Sequence, residues 1–241
     1  MTPLRLPTAL LWDMDGLLVD TEPLWTVGEV ELAERLGATW THEIKVQVVG
    51  TRMDVAVPTM LRMLGVDDSP GAVERESAWL LARMVELFEQ RLVVKKGALA
   101  LLDAAVEADV PQALVSSSYR PLVDACLTQL DLRDDGRRRF TTSLAGDEVH
   151  DGKPAPEPYL TAAVRLGVRP EDCVVLEDSP SGVAAGLAAG CAVLAVPEVT
   201  ALPPAPAGAR RRVVTSLADV DLDDLATLLR RQEDGLRREP D

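Results

Sequence analysis

Short apolar runs recur along the chain, and stretches with helical periodicity separate them. The runs are rich in Val, Leu and Ala, which is typical of strands buried on both faces of a parallel sheet. They are TALLW at 8–12, QALV at 112–115, CVVLE at 173–177, CAVLAV at 191–196 and RVVT at 212–215. Parallel strands that alternate with helices are joined by right-handed crossovers. The pattern therefore predicts an α/β fold with a doubly wound parallel sheet.

The segments between the runs have apolar residues spaced by three or four positions, as on one face of a helix. In GALALLDAAVEA these positions are Ala98, Leu101, Leu102 and Ala105. The segments at 156–167 and 179–190 also predict helices. The second of these has Ser179 as a suitable N-cap, Pro180 at the first helical position and Gly190 as a stop.

One region shows helix signals without a strand signal. A helix is predicted from a Thr21 cap to Gly37, and a second helical stretch carries an apolar stripe formed by Leu80, Met84, Leu87 and Phe88. We therefore expect a small helical domain that is inserted directly after the first strand. The predicted division is a core domain from residues 1–19 and 93–241 and a helical domain from residues 20–92.

Charge and composition restrict the partners. The chain has 25 basic and 39 acidic side chains, for a net charge of -14, which opposes a general attraction to nucleic acid or to an anionic membrane. Cys126, Cys173 and Cys191 are odd in number and lack a metal-ligand spacing. The N-terminal apolar run is too short for a secretory or membrane-spanning segment. We expect a cytoplasmic, monomeric protein without nucleic-acid or membrane partners.

Polar residues follow three of the predicted strands. Asp13 follows the first apolar run, Ser116 follows QALV, and Glu177 ends the CVVLE run with Asp178 directly after it. Since ligands of open parallel sheets bind at the carboxyl ends of the strands, these side chains are expected to meet at one edge. Clustered carboxylates repel each other unless a cation is present, and oxygen ligands favour Mg²⁺.

The stretch DMDG places Asp13 and Asp15 on either side of one residue and follows them with Gly16. Gly16 permits a tight turn as the chain leaves the strand. One carboxylate can then attack a substrate while the other transfers protons. The alternative is that both residues only cap a turn, which is an ordinary role for Asp.

Four motifs resemble the haloacid dehalogenase-like phosphohydrolases, in the subgroup that includes β-phosphoglucomutase and sugar-phosphate phosphatases. They are DMDGLLVDTEPLW (13–25), LVSSSYR (114–120), FTTSLAGDEVHDGKPAPEPY (140–159) and VVLEDSPSGVAAGLAAG (174–190). They span nearly the whole chain in the family's order. The resemblance implies a Rossmann-like core with an inserted all-helical cap that closes over the site.

The resemblance also implies residue roles. Asp13 is the expected nucleophile, which forms an aspartyl phosphate, and Asp15 is the expected general acid and base. Mg²⁺ is expected to bind the Asp13 carboxylate, the Asp15 backbone carbonyl and Asp178, with Glu177 reaching it directly or through water. The phosphoryl oxygens are expected to contact Ser116, the Ser117 backbone and Lys153.

Lys153 and the serines also have simpler interpretations. The chain has four lysines and 21 arginines, so a lysine in the loop GKPAPEP departs from local usage, and an ammonium suits a single phosphoryl oxygen. Lys153 could instead be an exposed loop residue, and the three consecutive serines could be turn residues.

The segment VVGTRMD (48–54) resembles the family's substrate-specificity loop and makes Arg52 a candidate substrate contact, unless it is a solvated arginine at a helix start. Trp25 stands where the family's mutase has a histidine in the cap.

Together, the motifs lead us to expect a Mg²⁺-dependent phosphatase that acts on a small phosphate ester of a sugar or polyol. The alternatives are a β-phosphoglucomutase-like phosphomutase and, more distantly, a non-catalytic phospho-ligand-binding protein. A dehalogenase would leave Asp15, Glu177 and Asp178 unexplained.

Overall fold

A computed structural model describes residues 5–132, 136–197 and 201–230. The strands are, in chain order, β1 (Ala9–Trp12), β2 (Val19–Asp20), β3 (Val93–Val94), β4 (Gln112–Val115), β5 (Thr142–Leu144), β6 (Cys173–Glu177), β7 (Ala192–Ala195) and β8 (Arg211–Val213). Six of them form a parallel sheet in the order β5-β4-β1-β6-β7-β8. The chain adds strands first on one side of β1 and then on the other, so the predicted doubly wound α/β fold is confirmed.

The helices are, in chain order, α1 (Glu22–Arg35), α2 (His42–Val48), α3 (Met53–Leu64), α4 (Pro70–Arg91), α5 (Ala98–Glu107), α6 (Arg120–Leu132), α7 (Glu157–Leu166), α8 (Pro180–Ala188) and α9 (Leu222–Arg230). Helices α5 to α9 cover both faces of the six-stranded sheet. Alternate residues of β1 join different cores. Leu10 and Trp12 belong to the core shared with α5, α6 and α9, and Ala9 and Leu11 to the core shared with α7 and α8. Burial on both faces explains why the central strands read as continuous apolar runs.

The predicted strands agree closely with the observed ones. β4 and β6 have the predicted bounds, and β1 and β7 lie within one residue of theirs. β8 starts one residue earlier than predicted and ends at Val213, and residues 198–200 of the preceding loop lie outside the described residues. β5 was not predicted. It is an edge strand whose first two residues, Thr142 and Ser143, are polar and only half-buried, so it lacks the apolar run that marks a central strand.

The helical segment, which consists of α1 to α4, is joined to the core through a two-stranded antiparallel ribbon. Val19 of β2 pairs with Val94 of β3, and Asp20 pairs with Val93. Between these strands the chain forms α1 to α4, and the predicted stripe on α4 is buried. The helical segment also contacts the core, since α4 packs against α6. No helix in the described parts of the chain combines the length and apolar character needed to cross a membrane.

Candidate active site

The polar residues predicted at the strand ends meet at one edge of the sheet. β1 lies between β4 and β6, so Asp13, Ser116 and Glu177 reach the carboxyl edge on three adjacent strands. Side-chain oxygens of Asp13, Glu177 and Asp178 lie within 4.8 Å of one another. This grouping offers only oxygen ligands.

A tight turn follows the two aspartates of the DMDG stretch. Gly16 adopts a φ of 86°, in the left-handed region, and its amide donates to the carbonyl of Val19 at 2.9 Å. A Cβ atom at Gly16 would lie 2.3 Å from Asp178 Oδ2. Glycine is therefore needed here both for the backbone conformation and for the approach of Asp178.

Lys153 is buried within this group of acids, and its side chain is only 3% exposed. Its ammonium donates to Asp13 Oδ1 at 2.5 Å, to Glu177 Oε1 at 2.7 Å and to the carbonyl oxygen of Val115 at 3.0 Å. The geometry excludes the interpretation of Lys153 as an exposed loop lysine. It also places a positive charge between two carboxylates.

Three hydroxyl groups hold Asp15. Thr21 donates to Asp15 Oδ1 at 2.9 Å, while Ser116 and Ser118 donate to Oδ2 at 3.0 and 2.9 Å. Thr21 precedes α1 as predicted, but its side chain makes no capping hydrogen bond there, so its expected role as a cap is corrected. Only the folded turn brings Thr21 and Ser118 to Asp15, so the sequence pattern does not indicate them as its partners.

Glu177 has partners on both oxygens. Besides Lys153, Oε1 accepts a hydrogen bond from the hydroxyl of Tyr159 at 2.9 Å. Oε2 accepts from the Ser179 amide at 3.0 Å and from its hydroxyl at 2.9 Å. Ser179 also accepts from the amide of Gly182, so the predicted N-cap of α8 is confirmed. Tyr159 was not singled out in the sequence, although it lies in the third motif.

Burial raises the pKa values of the three aspartates, Asp13, Asp15 and Asp178. The pKa of Asp178 rises to about 7, through burial and then through the charge of Glu177. Burial also raises the pKa of Asp13 well above its usual range, against the effect of Lys153, and raises that of Asp15 against its three hydroxyl partners. Burial alone would lower the pKa of Lys153, but the charges of Asp13 and Glu177 hold that pKa well above its usual range.

These shifts reflect crowded, desolvated acids with one buried cation among them. A divalent cation favours the ionised form of nearby carboxyl groups and would relieve their repulsion. The residues present therefore fit Mg²⁺, whose preferred ligands are oxygens.

Ser117 and Arg52 lie beside this group. The loop of Ser117 is tightly packed, since a Cβ atom at Gly146 would lie 2.1 Å from the Ser117 carbonyl oxygen. Arg52 immediately precedes α3, and its side chain is 28% exposed and forms an ion pair with Asp54. Its Nη1 atom lies 3.0 Å from the position that a Cβ atom at Gly152 would occupy. Arg52 therefore reaches from the helical segment to the loop that carries Lys153.

The comparisons with known proteins point to one protein family. Residues 7–190 match the sequence profile of the haloacid dehalogenase-like hydrolases. The chain is 36% identical over 200 residues to a Drosophila melanogaster protein named "Probable pseudouridine-5'-phosphatase", with coverage of 81% of this chain and 84% of the relative. It is 31% identical over 192 residues to hexitol phosphatase B of Escherichia coli, with coverage of 78% and 83%.

A solved structure of CbbY from Rhodobacter sphaeroides in complex with phosphate is also similar. It superposes with a TM-score of 0.75 at 28% identity, covering 88% of this chain and 96% of that chain. The likeness extends over both the sheet and the helical segment, because the matched part is nearly the whole of each chain.

Proposed function

The chain belongs to the haloacid dehalogenase-like hydrolases, and from this premise we propose that it is a Mg²⁺-dependent phosphatase of small sugar or polyol phosphates. The observation that carries the proposal is the buried Lys153 between Asp13 and Glu177, beside a cluster of three carboxylates. A phosphoryl group needs positive charge around its oxygens and a nucleophile in line with its ester bond. The names of the two curated relatives, phosphatases of pseudouridine 5'-phosphate and of hexitols, support this substrate class.

The metal ligands in this proposal are the Asp13 and Asp178 carboxylates and the Asp15 backbone carbonyl. Glu177 adds its negative charge beside them, since its two oxygens already accept four hydrogen bonds. When bound, Mg²⁺ neutralises charge on the phosphoryl oxygens and on the clustered carboxylates. Lys153 provides the second positive charge, and the backbone amide of Ser117 provides a further donor to the phosphoryl oxygens. Both donors of Ser116 are already used, by the Leu144 carbonyl and by Asp15.

The chemistry takes place between two aspartates. A carboxylate oxygen of Asp13 forms a bond to phosphorus while the bond between phosphorus and the ester oxygen breaks, and Asp15 gives its proton to that oxygen. The oxygen of a water molecule then bonds to phosphorus while the bond between phosphorus and the Asp13 oxygen breaks. Asp15 takes one proton of that water, and inorganic phosphate leaves with the Asp13 carboxylate restored. Thr21, Ser116 and Ser118 orient Asp15 for both steps.

Residues 20–92 are proposed as the cap that excludes water from this site and selects the leaving group. Arg52 is the proposed specificity residue, because it lies on this segment and contacts the loop before Lys153. The monomeric state and the cytoplasmic location stay predictions.

A phosphate-release assay tests the function. We would compare hexitol phosphates, pseudouridine 5'-phosphate, glycerol phosphates and phosphoglycolate, each with Mg²⁺ and with EDTA. Release that requires Mg²⁺ and favours a sugar or polyol phosphate supports the proposal. Full activity in EDTA would contradict the proposed requirement for a bound metal ion.

A phosphomutase would use the same Asp13 nucleophile but would return the phosphoryl group to the sugar. Incubation with β-glucose 1-phosphate separates the two reactions, since a mutase yields glucose 6-phosphate and a phosphatase yields free phosphate. Trp25 stands at the position where the family's mutase has a histidine, and it is partly buried against the core cluster. This difference favours the phosphatase. A protein that only binds a phosphorylated ligand would release no phosphate from any ester.

A further inference from the structure

Glu177 is held in one orientation from all sides. Its side chain is fully buried, and its two oxygens together accept four hydrogen bonds, from Lys153, Tyr159 and both donors of Ser179. The first turn of α8 closes the remaining side, because a Cβ atom at Gly182 would lie 1.6 Å from Glu177 Oε1. The carboxylate therefore has no room to rotate.

All three protons of the Lys153 ammonium are already used. They go to Asp13, Glu177 and the carbonyl oxygen of Val115. An ammonium has three donors, so Lys153 can bond a phosphoryl oxygen only by giving up one of these partners. The carbonyl of Val115 is fixed in β4 and Glu177 is clamped, whereas Asp13 takes on phosphorus in the proposed reaction. Asp13 is therefore the partner that Lys153 exchanges for the substrate.

Tyr159 supports one of the two hydrogen bonds that Lys153 must keep, the one to Glu177. Its side chain is fully buried on α7, its hydroxyl donates to the Glu177 oxygen that also holds Lys153, and the Lys153 Nζ atom lies 5.0 Å from its ring centroid. We propose that Tyr159 is a positioning residue, which through Glu177 keeps Lys153 aimed at the phosphoryl group during this exchange. This inference rests on the proposed phosphatase function.

The test is Tyr159→Phe, which keeps the ring against Lys153 and removes only the hydroxyl. We expect the dissociation constant of inorganic phosphate in the presence of Mg²⁺, measured by calorimetry, to rise by about tenfold, as for loss of a residue that orients a ligand-binding side chain. The value of kcat/KM should fall by a similar factor. Unchanged phosphate affinity and kcat/KM would overturn the proposal.

A double-mutant cycle separates positioning from a general effect on the fold. In a Lys153→Met background, where no ammonium remains to be oriented, Tyr159→Phe should cause no further loss of phosphate affinity or of the residual kcat/KM. Equal losses in both backgrounds would show that Tyr159 does not act through Lys153, and would overturn the inference.

Leu225→Ala is the stability control, because Leu225 is buried on α9, a helix that carries none of the site residues. It should lower the Tm and leave phosphate affinity unchanged. A fall in phosphate affinity with Leu225→Ala would instead attribute the Tyr159 effect to lost stability and overturn the inference. If the unmodified protein neither binds phosphate nor hydrolyses any ester, the proposed function itself is refuted. An active enzyme in which Tyr159→Phe has no effect would refute only the role of Tyr159.

Discussion

Lys153 and Asp13 are 140 positions apart in the chain, yet the ammonium of the first donates a hydrogen bond to a carboxylate oxygen of the second. Neither side chain is more than slightly exposed. Without substrate, the lysine neutralises the residue proposed to attack phosphorus. The pair therefore combines a stabilising contact with the proposed chemistry, and substitutions at its two ends should have different effects.

Lys153→Met should reduce both stability and activity. It leaves Asp13 and Glu177 buried without their cation, and removing one partner of a buried ion pair costs about 3 to 5 kcal/mol. Thermal unfolding and phosphate release measure the two losses. Lys96→Met is the matched control, because Lys96 is exposed, and should change neither quantity. Retention of full phosphate release by Lys153→Met would contradict the proposed role of the lysine.

Asp13→Asn should abolish turnover and preserve the fold. The amide has nearly the same shape as the carboxylate but is a much weaker nucleophile. Phosphate release and circular dichroism report the two properties. Asp68→Asn replaces an exposed aspartate and should remain fully active. Appreciable turnover by Asp13→Asn would assign the nucleophile to another group.

Thr21→Val should impair activity more than stability. The hydroxyl is a partner of Asp15 and not a helix cap, so its loss should reduce kcat by about tenfold, which is the scale of a hydrogen bond to an ionisable group. Thr21→Ser keeps a hydroxyl and should restore most of the activity. If Thr21→Val instead lowers the Tm with unchanged kcat, the hydroxyl serves the helix and not Asp15.

The stabilising effect of Mg²⁺ should depend on pH. The pKa of Asp178 is about 7 in the folded protein, against an ordinary value of 3.8. A carboxyl group whose pKa rises on folding favours the folded state while it is protonated. This contribution is complete below the ordinary pKa and is lost as the pH rises through about 7. Metal binding requires the deprotonated ligand and competes with that proton.

The increase in Tm on adding Mg²⁺ should therefore be larger near about pH 8 than near about pH 5. Thermal unfolding of the unmodified protein at both pH values, with Mg²⁺ and with EDTA, measures this difference. Asp178→Asn is the control in which the pH dependence of the metal effect should become smaller, because burial also raises the pKa of Asp13, the other carboxylate ligand. A metal effect that is equal at the two pH values would remove Asp178 from the ligand set.

The sheet and the placement of its polar ends were predictable because both follow from local patterns. The runs before Asp13 and Ser116 and through Glu177 are apolar on both faces, and a parallel sheet brings their carboxyl ends together. Lys153 could be singled out only through its motif and its rarity, because a loop has no periodicity that would indicate burial.

Thr21 and Tyr159 show what local patterns do not contain. Thr21 has the sequence context of a helix cap, and its real partner is set by the turn at Gly16. Tyr159 lies on the buried face of α7, where any large apolar residue would satisfy the pattern, so its hydroxyl bond to Glu177 was invisible in the sequence.

The ribbon of β2 and β3 brings the two ends of the helical segment side by side, with Asp20 opposite Val93. A segment whose ends are adjacent can be replaced by another of different length without moving the strands that carry the acids. Because this segment is the proposed cap, exchanging one continuous stretch of the gene should change the leaving-group preference. Chimaeras joined at this ribbon should keep the phosphoryl chemistry and inherit the substrate range of the donor.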